Sequence, residues 1–243
     1  MKKTGPVQNE AQHASAIQTM FEAIAPRYDF LNRFLSLRRD VYWRKRMISA
    51  VMRPGAPVRT LLDVACGTGD VAIEAVRQGC GELSVWGADF SCAMLAAGKN
   101  KVAPFKDRIH LVAADAFFLP FRDSSFDAVT IAFGIRNIAD KPVALKRFYR
   151  HLRKGGVLAV LELTTPQKGF LKSLYLFYFR RILPLIGWVV SKNMGAYQYL
   201  PASVMGFPPS PEFAKMMGQA GFTDVSWRPL TFGIATLYVG YRK

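Results

Sequence analysis

Two acids bracket a glycine loop in the stretch LLDVACGTGD, residues 61–70. Asp63 ends an apolar run, Gly67 and Gly69 shape the loop, and Asp70 follows at once. Gly67, Gly69 and Ala72 fit GxGxxG/A, and Asp89 lies about twenty residues on, the spacing of a dinucleotide fingerprint. The acids argue against a diphosphate. Anions favour a helix N-terminus because bare N–H groups and the helix dipole attract negative charge, and Asp70 already stands at that end. Two like charges ~4 Å apart repel by roughly 4 kcal/mol at an effective dielectric of about 20. Asp63 would add further negative potential. A phosphate-free, positively charged ligand suits such a loop better.

S-adenosyl-L-methionine has that chemistry: an ammonium, a sulfonium, a ribose and an adenine. Gly67 and Gly69 would let the backbone approach it closely. Asp89 would accept from its ribose hydroxyls. Two other readings stay open: Asp70 merely caps its helix, or the loop takes NAD.

The elements that must carry these residues follow from hydrophobic periodicity. Ile17, Met20, Phe21 and Ile24 share one helical face, which Pro26 interrupts. A basic, aromatic helical region follows, until RPGAP breaks it at residues 53–57. Short apolar runs at 60–65, 83–89, 109–115, 126–133 and 157–163 read as strands. Helical stretches lie between them, with Ser91 and Asp140 as N-caps. One helix is expected to run through KPVALKRFYRHLRK to Gly155 and Gly156. Alternating strands and helices predict a doubly wound α/β sheet. Residues 165–207 break the alternation. Beyond them Ser210 and Pro211 predict a helix start, and TDVSWRPL and FGIATLYVGYR a hairpin joined at Thr231.

The chain has 243 residues, 51% of them hydrophobic, enough for one core. Three cysteines lack metal spacing and read as reduced thiols; the three histidines are scattered, so no metal site is expected. No secretory leader is expected from the start MKKTGPVQNE. The net charge of +16 points to a polyanion, either nucleic acid or an anionic membrane surface, or simply to a solvated exterior.

LLDVACGTGD, GADFS, AADAFFLPFRDSSFDAVTIAFGIRN and LRKGGVLAVLEL together resemble a class I methyltransferase. MFEAIAPRYDFLN, FGIRN, YQYLPASVMGFP and FGIATLYVGYRK narrow the resemblance to the UbiE/MenG family of quinone C-methyltransferases, nearly end to end. The resemblance implies a Rossmann-like sheet of seven strands with the last antiparallel. It implies a single methyltransferase domain over 1–243, with residues 1–55 as a helical cap and 165–207 as an insertion. It implies S-adenosyl-L-methionine held through Thr68 and Asp89, with Asp115 and Ala116 at the adenine edge. Many relatives have serine just before FG; here the residue is Ala132, so any contact through that hydroxyl is missing.

The implied reaction is methyl transfer to the ring carbon beside a quinol hydroxyl. Demethylmenaquinol is the leading substrate, with the benzoquinol precursor of ubiquinone or another phenol as alternatives. A phenol titrates near pH ~10, so the site must favour the phenolate. Arg136 in FGIRN is the candidate for that task, and pairing with an acid is its structural alternative. Asn137 would orient the ring hydroxyl or hold the turn. Tyr28 would close over the site or sit in the core.

The segment GFLKSLYLFYFRRILPLIGWVV, residues 169–190, is apolar but interrupted by Lys172, Arg180, Arg181 and Pro184, so it does not read as a membrane span. It is a lid over a polyprenyl tail, an interfacial helix, or an ordinary buried helix pair. The expected partners are a polyprenylated quinol and an anionic membrane, from the cytoplasmic side. Oligomeric state stays open, a homodimer included. Nucleic acid is not expected, because the place after the fourth strand holds FGIRN rather than [N/D]PP[Y/F].

Overall fold

The structure, a computed structural model, describes residues 17–52, 57–79, 81–166, 173 and 194–243. The expectations for residues 169–190 fall outside the described residues, Ser173 apart. Three helices precede the sheet: α1 (residues 17–24), α2 (Tyr28–Leu35) and α3 (Arg39–Val51). Then come β1 (Thr60–Val64), α4 (Asp70–Gln78), β2 (Ser84–Asp89), α5 (Cys92–Val102), β3 (Ile109–Ala113), β4 (Phe126–Ala132), α6 (Lys141–His151) and β5 (Leu152–Leu163). The chain closes with α7 (Met194–Met205), α8 (Ser210–Gln219), β6 (Thr223–Leu230) and β7 (Ala235–Tyr241).

The seven strands lie in the order β3-β2-β1-β4-β5-β7-β6. The first five are parallel, and β7 runs antiparallel to both β5 and β6. The expected α/β sheet with an antiparallel last strand is therefore what forms. Strand alternation sends side chains to two faces. Leu61, Val85 and Ala159 pack with Met47 and Ile48 of α3 and Val71 of α4 on one face. Leu62, Val64, Val129 and Val160 pack with Leu145 and Phe148 of α6 and Phe213 of α8 on the other. Each fully buried side chain of this size contributes about 1.5–3 kcal/mol.

Ser91 and Asp140 cap their helices as expected, accepting from the N–H groups of Met94 and Val143. Three local expectations fail. The helix before β5 stops at His151, and the sequence from Leu152 is already strand, because Leu152 registers beside Phe126. The Ser210 hydroxyl caps nothing; it accepts from the buried Tyr238 hydroxyl at 2.9 Å. The β6–β7 turn is longer than one residue, and Thr231, Phe232 and Gly233 in it all have positive φ.

Strand order reverses between β1 and β4, so the loops at their carboxyl ends diverge and leave a crevice. Ala65 (φ 52°) follows β1 and Phe133 (φ 59°) follows β4, both in left-handed backbone. Non-glycine residues adopt that region at a cost, and such strain gathers where loops are bent around a ligand.

Candidate active site

The crevice contains a cavity walled by Ile17 and Phe21 of α1, Tyr28 of α2, Gly67, Asp89, Phe90, Met94, the 114–117 loop and residues 132–134 and 137–140. Among the described residues, Asp89, Asp115 and Asp140 are its charged lining residues, with no lysine, arginine or histidine. That lining suits a cationic ligand and disfavours a diphosphate.

Asp89 ends β2 and is 6% exposed. Gly67 N–H donates to its Oδ2 at 2.8 Å and Ser91 N–H to its Oδ1 at 2.9 Å. Burial raises its pKa, and the two backbone donors oppose that rise. A carboxylate accepts about four hydrogen bonds, so capacity remains for a diol. Gly67 has φ 56°, and a Cβ there would come within 3.2 Å of the Met94 side chain. The Asp115 carboxylate accepts from Phe117 N–H at 2.8 Å, and Asp115 and Ala116 both stand on the cavity wall. Ala132 lines the cavity too. This constellation suits S-adenosylmethionine: Asp89 would take its ribose, the 115–116 edge its adenine, and Gly67 would allow close backbone approach.

Three other residues expected at the cofactor, Asp63, Thr68 and Gly69, are not part of that wall. Asp63 is 1% exposed; its Oδ1 accepts from Thr130 Oγ1 at 2.8 Å, and its Oδ2 has no partner among the described residues. Burial, with the neighbouring Asp89 adding to it, pushes its pKa up to about 8 despite the Thr130 hydrogen bond. It is neutral at pH 7 and supplies little negative potential. Gly69 (φ 83°) begins α4 and faces Val102, where a Cβ would come within 2.8 Å. Thr68 Oγ1 donates to Asp29 Oδ1 at 2.7 Å and accepts from Lys101 Nζ at 2.8 Å.

Asp70 also differs from expectation. Lys101 at 2.6 Å, Arg44 at 3.0 Å and Arg33 at 3.6 Å surround its carboxylate. Burial alone would raise its pKa, but Arg44 and Lys101 overcome that and hold it below the usual range. Its charge is spent on joining α2, α3 and α5 to the glycine loop. Repulsion of phosphate by Asp63 and Asp70 is thus corrected: the acids that matter are those on the wall.

Arg136 follows β4 in the 3-10 turn Ile135–Asn137. Its Nη1 donates to Glu162 Oε1 at 2.8 Å and to the Phe133 carbonyl, and its backbone N–H donates to Glu162 Oε2 at 3.0 Å. Glu162 is wholly buried on β5. Burial would lower the Arg136 pKa, and Glu162 more than compensates. Arg136 Nε is buried without a hydrogen-bond partner among the described residues. Asn137 is on the cavity wall, and its Oδ1 accepts from Tyr199 Oη of α7 at 2.9 Å. Burial raises the Tyr28 pKa, against the Asn32 hydrogen bond and Arg136. Its ring meets Phe21 edge-on at 6.0 Å. Sequence reasoning missed Glu162, Tyr199 and Lys101. Glu162 left one signal, a lone acid inside the apolar run VLAVLEL.

Fold and cavity together define a class I S-adenosylmethionine-dependent methyltransferase. Solved structures agree on the fold. A Thermotoga maritima S-adenosylmethionine-dependent methyltransferase superposes with TM-score 0.65 at 19% identity, covering 93% of this chain and 99% of that one. A Haemonchus contortus phosphoethanolamine N-methyltransferase, in complex with S-adenosyl-L-methionine, gives TM-score 0.59 at 18% identity over 88% of this chain and 59% of its own.

The chain belongs to the ubiE/COQ5 methyltransferase family, which it matches over residues 7–242. It is 47% identical over 227 residues to the ubiquinone/menaquinone biosynthesis C-methyltransferase UbiE of Geobacter sulfurreducens, covering 92% of this chain and 87% of that protein. The demethylmenaquinone methyltransferase of Thermus thermophilus is also 47% identical, over 92% of this chain and 100% of its own length.

Proposed function

We propose that the protein transfers a methyl group from S-adenosylmethionine to a ring carbon of a polyprenylated quinol, converting demethylmenaquinol to menaquinol. The benzoquinol precursor of ubiquinone is the second reading, since relatives are named for both quinones. The observation that carries the proposal is a cavity walled by Phe21, Tyr28, Phe117 and Phe133, with Asn137 on its wall and the Arg136 cation fixed behind it. Aromatic walls suit a flat quinol ring.

Bound S-adenosylmethionine supplies an electrophilic methyl group. Asp89, Asp115 and Ala116 bind its sugar and base. Arg136 keeps a positive charge beside the ring pocket, which favours phenolate over phenol and so raises the electron density of the adjacent carbon. Asn137, steadied by Tyr199, orients the ring hydroxyl. Tyr28 closes the wall on the cap side and helps exclude water, which strengthens every charge interaction inside. Thr68 and Gly69 serve the cofactor indirectly, by fixing the loop. Asp63 does so from below as a neutral carboxyl.

Helices α1, α2 and α7 form the cap, while α3 belongs to the layer packed on the sheet. Leu31 packs against Val204, with Leu200 and Ile24 beside them, so the two halves of the cap meet. Among the described residues no helix is long and apolar enough to cross a membrane. A lipid-soluble substrate and a charge of +16 support residence on the cytoplasmic face of the membrane. Quinone analysis of a deletion strain tests the substrate. Accumulated demethylmenaquinone supports the first reading, an unmethylated benzoquinone supports the second, and an unchanged profile rejects both.

A further inference from the structure

The outer face of α2 carries an apolar ridge that the site does not use. On α2, Tyr28 reaches the cavity, Asp29 reaches Thr68 and Lys101, and Leu31 is buried against Val204. Phe30 and Phe34 face solvent at 61% and 50% exposure. Their rings stack at 6.0 Å with an interplanar angle of 13°. The α2–α3 turn adds Leu37, 83% exposed at φ 50°. The β6–β7 turn adds Phe232, 78% exposed at φ 58°. Large apolar side chains held outward in left-handed backbone need a reason, and exposed patches of this kind mark interaction surfaces.

These features lie at one end of the molecule. Trp43 Nε1 of α3 donates to Thr231 Oγ1 at 2.8 Å, which ties the helix after the α2–α3 turn to the β6–β7 turn. Leu31 and Leu35 share a cluster with Ile234. The β6–β7 turn lies at the end of the sheet where the parallel strands finish, since Ala235 pairs with Leu163 at the carboxyl end of β5. Arg38 and Arg39 are exposed beside Leu37. An aromatic wedge flanked by guanidinium groups matches an acyl layer below anionic headgroups.

We propose that this end, with Phe30, Phe34, Leu37 and Phe232 as the wedge and Arg38 and Arg39 as the headgroup contacts, seats on an anionic lipid bilayer. The proposal rests on the lipid-soluble quinol reading given above. Charge selects the occupant: a second copy would bring the same arginines against each other, in a chain of net charge +16. The helix that meets the bilayer also brings Tyr28 to the cavity wall and Asp29 to the glycine loop. Surface and site therefore share one element.

The test uses the full chain and vesicles of phosphatidylglycerol with phosphatidylcholine. Wild type is compared with Phe30→Ser/Phe34→Ser/Leu37→Ser and with Arg38→Glu/Arg39→Glu. Each variant should partition at least about tenfold more weakly, and wild-type binding should fall as salt screens the headgroups. Turnover of a water-soluble quinol with a single prenyl unit should be unchanged, while turnover of a long-tailed quinol in vesicles should fall in step with binding. Equal vesicle binding by wild type and both variants overturns the proposal. So does loss of a wild-type dimer, or a lowered melting temperature, with vesicle binding intact, since the face would then cover a second copy or residues 167–193. If the variants lose vesicle binding but wild type methylates neither quinol, the surface stands and the quinol reading fails.

Discussion

Glu162 grips Arg136 at two places, the guanidinium Nη1 at 2.8 Å and the backbone N–H at 3.0 Å, from a fully buried position on the neighbouring strand. Strand β5 thereby fixes both the turn after β4 and the direction of its cation. The next residue, Asn137, is on the cavity wall. In the proposed reaction this structural ion pair would also set the cation that faces the ring.

Glu162→Gln should therefore affect stability and turnover together. Removing one partner of a buried pair costs roughly 3–5 kcal/mol, because the other charge stays buried. The amide keeps the shape, so the lower end of that range is expected in chemical denaturation, with kcat at least about tenfold down. Unaltered stability would mean that the pair is not desolvated as described.

Arg136→Lys retains a charge but loses the planar fork. S-adenosylmethionine affinity, measured by calorimetry, should stay within about twofold, since Arg136 is off the cavity wall. Single-turnover rates should fall by about a hundredfold, a loss of about 2.7 kcal/mol in transition-state stabilisation. Wild-type rates in the lysine variant would remove Arg136 from the chemistry.

Asp89→Ala should weaken S-adenosylmethionine binding more than tenfold, at least about 1.4 kcal/mol. The change removes the acceptor for the ribose and leaves Gly67 N–H and Ser91 N–H without their present partner. Unchanged affinity would place the ribose elsewhere.

Asp63 makes stability depend on pH. Its folded pKa of about 8 lies above the ordinary carboxylate value of 3.8, so the folded state holds the extra proton between them. That contribution is complete below the unfolded pKa and is lost as pH rises toward 8, at roughly 1 kcal/mol per pH unit. Denaturation at pH 6 and pH 8 should show wild type losing stability relative to Asp63→Asn. Parallel curves would show that Asp63 is ionised in the folded protein.

The sheet was legible because parallel strands buried on both faces read as short apolar runs. The end of α6 was not, because RHLRK suits a helix locally, and only the pairing of Leu152 beside Phe126 makes it strand. The nearness of Gly67 and Asp89 at one crevice was legible because a loop after β1 and an acid ending β2 are set by local pattern. The charge state of the loop was not. Asp70 meets Arg33, Arg44 and Lys101 from three other helices, and spacing along the chain does not reveal such countercharges. Asp63 looks anionic in the sequence and becomes neutral through burial. The preference for a cation survives because Asp89, Asp115 and Asp140 remain on the wall.

The most direct measurement incubates the purified protein with methyl-labelled S-adenosylmethionine and a short-tailed demethylmenaquinol, then analyses the quinol by mass spectrometry and NMR. The expected result is label on a ring carbon, with one S-adenosylhomocysteine formed per methylated quinol. Cofactor binding without any ring-methylated quinol, or label on oxygen, would contradict quinol C-methylation.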